Sequence, residues 1–104
     1  VTAVHKATRE AIETSIAHWK DIAQATVSRK VRIGCCHCTL CTMFRRDGCN
    51  GCPVVARTGM WSCRKTPYEA AREALRLWGR TGDSVAFRAA ARAETEFLES
   101  LREP

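Results

Sequence analysis

The chain has 104 residues, 45% of them hydrophobic, and a formal net charge of +6. That size gives one small domain with little core to spare, and alanine fills many of the apolar positions, so a staple is expected. No apolar run approaches the roughly 20 residues a helical membrane span requires.

In chain order, residues 3–28 read as a helix. Ile12, Ile16, Trp19, Ala23 and Val27 step by four, three, four and four, which gathers them on one face. His5 and His18 lie on this helix and read as surface or boundary histidines, not as ligands. From Val31 to Lys65 the period stops, and Gly34, Gly48, Gly51, Pro53 and Gly59 punctuate the segment. A stretch this long without structure is out of place in a compact domain unless something fixes it. Short strand-like pieces are expected at most at Val31–Ile33 and Pro53–Ala56. Thr66-Pro67-Tyr68-Glu69 then opens a second helix: Thr66 suits the N-cap, Pro67 the first turn and Glu69 the box partner. Its stripe is Tyr68, Ala71, Leu75 and Trp78 with Ala74 alongside, and Gly79 and Gly82 end it. A third helix follows Asp83 as its cap, with Ala86, Ala90, Ala93, Phe97 and Leu101 as its buried stripe. Its late carboxylates, Glu94, Glu96 and Glu99, oppose the helix dipole, so packing must sustain it. The short connection makes helices two and three a hairpin. The expectation is a mainly α single domain over 1–104. It comprises an N-terminal helix (1–30), an irregular metal-stapled loop (31–65) and a helical hairpin (66–104).

All seven cysteines fall inside that loop: Cys35, Cys36, Cys38, Cys41, Cys49, Cys52 and Cys63. Cys38-x2-Cys41 and Cys49-x2-Cys52 each make a tight turn that aims two sulfurs at one point, the arrangement of a tetrahedral thiolate site. Gly51 gives the second pair the freedom to curl. Cys63, just ahead of the second helix, competes for the fourth position, so five candidates contend for four places. Cys35, Cys36 and His37 are weaker, because adjacent cysteines rarely face one ion. The odd cysteine count and the lack of a signal-peptide pattern favour reduced thiols in a cytoplasmic setting over disulfides. Zinc is the expected ion, since it accepts all-thiolate tetrahedra and supplies folding free energy to small modules. An iron–sulfur cluster is the alternative, sharing the Cys-x2-Cys and Cys-Pro features.

Charge follows the same segment. Residues 31–65 hold six basic side chains (Arg32, Arg45, Arg46, Arg57, Arg64, Lys65) against Asp47 alone, while residues 66–104 hold six against seven acidic. Four thiolates on a divalent ion would leave roughly +3 there. Either the arginines offset the thiolates, or Arg45, Arg46, Arg57, Arg64 and Lys65 face an acidic macromolecule, either nucleic acid or a protein complex. Trp61 and Phe44 read as a small core under the loop, not as stacking platforms. Catalysis ranks last. A zinc hydrolase or deaminase needs a general base beside an open coordination position, and Asp47 is the segment's only carboxylate.

The order Cys38-Thr39-Leu40-Cys41, Cys49-Asn50-Gly51-Cys52-Pro53, Thr58-Gly59 and Cys63-Arg64-Lys65-Thr66-Pro67-Tyr68 resembles small, mostly uncharacterised cysteine-rich proteins of bacteriophages and prophages. The match covers about a third of the chain. It implies Cys38, Cys41, Cys49, Cys52 and Cys63 as the site set and action inside a bacterial host cell. It carries no established activity. Two functions are therefore expected. One is a non-enzymatic zinc module binding nucleic acid or a complex that handles it. The other is a phage inhibitor or adaptor that contacts a host defence or transcription complex.

Overall fold

The computed structural model describes residues 6–33, 39–44, 52–59 and 66–102. Helix α1 (Lys6–Ile22) buries Ala11, Ile12, Ser15, Ile16, Trp19 and Ile22, the face its period predicts. It stops six residues earlier than expected. Gln24 and Ala25 donate to carbonyls three residues back, Asp21 and Ile22, so the helix tightens as it ends. The next residues, Thr26 and Val27, are β-branched and resist continuing it; Val27 is extended (φ −136°) ahead of a 3-10 turn at Ser28–Lys30.

Beyond α1, an arginine from another helix fixes the chain. Arg88 donates to the carbonyls of Ala23 (3.2 Å) and Ala25 (2.8 Å), and its Nε donates to Ser84 Oγ (3.1 Å). One planar guanidinium thus satisfies two carbonyls that no helical amide reaches. Arg88→Ala is expected to lower unfolding free energy by about 2 kcal/mol in urea titrations. Arg88→Lys should not restore it, because an ammonium cannot span the same three acceptors.

Helix α2 (Thr39–Phe44) and helix α3 (Pro53–Thr58) occupy the middle third. This corrects two expectations: the segment is not wholly irregular, and Pro53–Ala56 is helical, not strand-like. Pro53 presets the first-turn φ, Cys52 stands at the N-cap, and Gly59 (φ +72°) closes the helix with its amide on Val55 O at 2.7 Å. Val54 is buried on one side of this short helix. Val31–Ile33 forms no strand either.

Helix α4 (Pro67–Thr81) begins as expected, with Thr66 Oγ1 accepting from the Tyr68 amide at 3.2 Å and Pro67 in the first turn. It runs straight through Gly79 and ends only at Gly82, whose φ of +78° places its amide 2.8 Å from Trp78 O. Gly79 therefore lies inside the helix, beside the 3-10 turn. A methyl group there would meet Ser28 Oγ at 3.9 Å, an ordinary contact. Gly79→Ala should accordingly stabilise the fold by about 0.5–1 kcal/mol. Gly82→Ala should destabilise it by about 1 kcal/mol, because its φ is left-handed. Paired thermal melts of the two variants check the opposite signs.

At the start of helix α5 (Val85–Ser100) Ser84 holds the N-cap position, and the side-chain cap comes from Asp83 just ahead of it, whose Oδ1 accepts from the Val85 amide at 2.9 Å. Its buried stripe is Phe87, Ala91, Glu94, Thr95 and Leu98, one position away from the alanine stripe expected. Ala86 is exposed; Ala90, Ala93 and Phe97 are half-buried. Leu101, the last member of the expected stripe, is buried as expected. Each stripe carries one phenylalanine and one leucine, and the fold buries Phe87 fully while Phe97 stays half-buried. Helix α5 is the central element and packs against both α4 and α1. Trp78 and Phe87 rings sit 5.5 Å apart, and Trp19 meets Tyr68 edge-on at 6.2 Å, tying α1 to the start of α4. Arg102 grips Glu13 with two bonds, of 2.6 and 2.7 Å, and Lys20 lies 3.7 Å from Glu99. These cations offset the late carboxylates that oppose the α5 dipole. Among the described residues the protein is thus mainly α, with five α-helices where three were expected and no strand.

Candidate metal centre and basic surface

Two of the five proposed thiolate ligands lie within the described residues. Cys41 is half-buried in α2, and Cys52 is buried at the N-cap of α3. Each is the second cysteine of its Cys-x2-Cys pair; Cys41 is the third residue of α2, and Cys52 immediately precedes α3. Cys38, Cys49 and Cys63 lie outside the described residues, as do Cys35, Cys36 and His37. Among the described residues, no three histidine, cysteine or carboxylate side chains converge as a metal site.

The two short helices have few anchors of their own. Leu40 is the buried side chain of α2 and Val54 that of α3, with Cys52 beside it; Phe44 and Val55 add half-buried contacts to the same core. The position of Phe44 agrees with its reading as core rather than as a stacking platform. Helices of six residues are far below the length that is stable alone in water.

Of the five basic residues assigned to a partner, Arg57 alone is described. It is exposed on α3, yet Nη1 donates to Ser100 Oγ (2.8 Å) and Nη2 to Ser100 O (2.9 Å). It thereby fastens α3 to the carbonyl end of α5, where a cation complements the helix dipole. Arg45, Arg46, Arg64 and Lys65 lie outside the described residues. His18 is half-buried, with Nε2 bonded to the carbonyl of Arg32 at 2.7 Å, and since a carbonyl only accepts, that nitrogen carries a hydrogen. This is the boundary role expected of it. His5 lies outside the described residues.

Glu94 was read only as a late acidic residue of the third helix, yet it is buried at 5% exposure between α5 and the start of α4. Its Oε1 has no hydrogen-bond partner among the described residues. Burial pushes its carboxyl up to about 7, and a hydrogen bond from the backbone amide of Tyr68 draws it partly back. The available signal was its place three residues before Phe97 and four before Leu98, inside an apolar helix face.

Comparison with family models, curated proteins and solved structures gives no match to this chain. Among the described residues no helix is long and apolar enough to cross a membrane.

Proposed function

We propose that the protein is a small, non-enzymatic zinc-binding module that engages nucleic acid, or a complex that handles it, through basic residues of its cysteine segment. The observation that carries this reading is the position of Cys41 in one six-residue helix and of Cys52 at the N-cap of another, each helix with one buried aliphatic anchor. Elements so short and so thinly packed call for a cross-link, and two Cys-x2-Cys pairs supply one with the right chemistry. Thiolates from Cys38, Cys41, Cys49 and Cys52, with Cys63 as the competitor for one place, would hold the ion. Arg45, Arg46, Arg64 and Lys65 then form the basic face, with Arg57 shared between that face and α5. The resemblance of the cysteine segment to phage and prophage proteins supports a phage-encoded factor working inside a bacterial cell.

Plasma emission analysis of the purified protein should find one zinc per chain and no absorbance band near about 400 nm. Iron with a broad visible band would replace zinc by a cluster, and a metal-free folded protein would sink the reading. A pull-down from host lysate, with and without nuclease, tests the partner. Loss of captured material on nuclease treatment is expected; one stoichiometric protein that survives it would point to an inhibitor instead.

A further inference from the structure

The fold redistributes the charge that the chain order presents. In the described part of the chain from Lys6 to Val27, Lys6, Arg9 and Lys20 balance Glu10, Glu13 and Asp21. From Ser84 to Arg102, Arg88, Arg92 and Arg102 balance Glu94, Glu96 and Glu99. The surplus of the helical frame lies in what remains, the 3-10 turn and α4. These two elements pack together, with Ser28 lying over Gly79. Along the chain they are some forty residues apart; in the fold they make one surface.

Arg72, Arg76 and Arg80 recur every four residues along one exposed face of α4. They span about 12 Å of helix axis, the run of roughly three to four phosphates on one strand. Arg29 and Lys30 are exposed on the adjoining turn, and Arg32 folds its guanidinium back onto the carbonyl of Arg29. Against these six cations stand Glu69, Glu73 and Asp83. Glu73 lies 3.6 Å from Arg76, and Asp83 is occupied in capping α5. Among the described residues Arg72, Arg80, Arg29 and Lys30 form no ion pair. This face carries, among the described residues, no exposed aromatic side chain to stack on unpaired bases, the half-buried Tyr68 ring being packed on Trp19.

From this surface we infer that the 3-10 turn and the arginine row of α4 bind the phosphate backbone of a nucleic-acid duplex, without base specificity. The inference rests on the nucleic-acid reading above but moves the principal contact from the cysteine segment to the helical frame. Arginines in a row on a rigid helix contact successive phosphates without having to be ordered first.

The test is fluorescence anisotropy on the zinc-loaded full chain with a labelled duplex of about 20 base pairs and its single strand, from roughly 50 to 200 mM salt. Three proteins are compared with the wild type: R72Q/R76Q/R80Q, R29Q/K30Q, and R45Q/R46Q/R64Q/K65Q. All five substituted frame residues are exposed, and circular dichroism verifies that each variant is folded. The α4 variant is expected to bind about tenfold or more weakly at roughly 100 mM salt, with its salt slope reduced by about 2–3. R29Q/K30Q should lose a smaller amount in the same direction. Loss in the cysteine-segment variant as well would make the two surfaces one footprint and leave the inference standing. If the two frame variants bind like wild type while the cysteine-segment variant fails, the inference falls and the function proposed above survives. A preference for the single strand would overturn the duplex assignment. Absence of any binding by the wild type would overturn both readings.

Discussion

Phe87→Ala is expected to lower unfolding free energy by about 3–5 kcal/mol, the range for emptying an aromatic site in a close-packed core. Phe87 has no exposed surface and is among the largest fully buried side chains described. Its ring lies 5.5 Å from Trp78 at a tilt of 34°, so truncation costs both buried area and an aromatic contact. It lies on α5, the helix against which both α4 and α1 pack, and relaxation around the cavity would have to move whole helices. Domains of this size are stable by only about 5–15 kcal/mol, so the loss is a large fraction of the total. Urea midpoints of the purified protein read it directly. Phe87→Leu, which keeps most of the volume, should cost less than about 1.5 kcal/mol. Equal losses for both variants would refute the packing argument.

Glu94→Gln is expected to stabilise the protein at alkaline pH and to leave it nearly unchanged near pH 5. The sign follows from the direction of the shift. Burial raises the carboxyl to about 7 in the folded protein, against 4.5 when exposed. The folded state therefore holds its proton where the unfolded chain has released it. Stability is greatest below the unfolded value, falls as pH rises through the interval, and levels off above the folded value. The full difference is on the order of 3 kcal/mol, an upper figure for a group with some solvent access. An amide of the same shape keeps the acceptor for the Tyr68 amide and carries no charge to desolvate. The wild type should thus lose stability between pH 5 and pH 8 relative to the variant. Parallel curves for the two proteins across that range would show that Glu94 does not titrate there.

The middle third was less legible than the rest, for a local reason. Six-residue helices have too few positions to display a period, and Val54-Val55 favours extended backbone by composition. Helices this short depend on contacts beyond their own residues, such as the docking of Leu40 and Val54 onto the core. The alanine stripe of α5 misled in another way. Periodicity locates an apolar face to within one neighbouring position, and two such faces coexist on this helix. The neighbouring helix then decides, because Phe87 meets Trp78 of α4 at 5.5 Å, a contact that no spacing along α5 announces. Gly79 shows the same limit, since a glycine ends a helix only where the chain needs a left-handed residue. Gly82 meets that condition, with φ at +78°. The candidate site divides similarly. The cysteine spacing was visible at once, whereas the bond from Arg57 to Ser100 joins residues 43 positions apart and leaves no mark in the order of residues.

The sequence by itself determined the helical class, the caps at Thr66 and Asp83, the core face of α1 and the concentration of thiols in one segment. Each of these is local, set by spacings of a few residues, so neighbouring chemistry is enough to specify it. Tertiary structure alone decided that Arg88 secures the end of α1, that Glu94 is sealed beneath the start of α4, and that Arg29 and Lys30 join the α4 arginines on one surface. Those outcomes depend on which helices meet. That choice is made by the burial of large side chains across the whole molecule, to which residues distant in the chain contribute together.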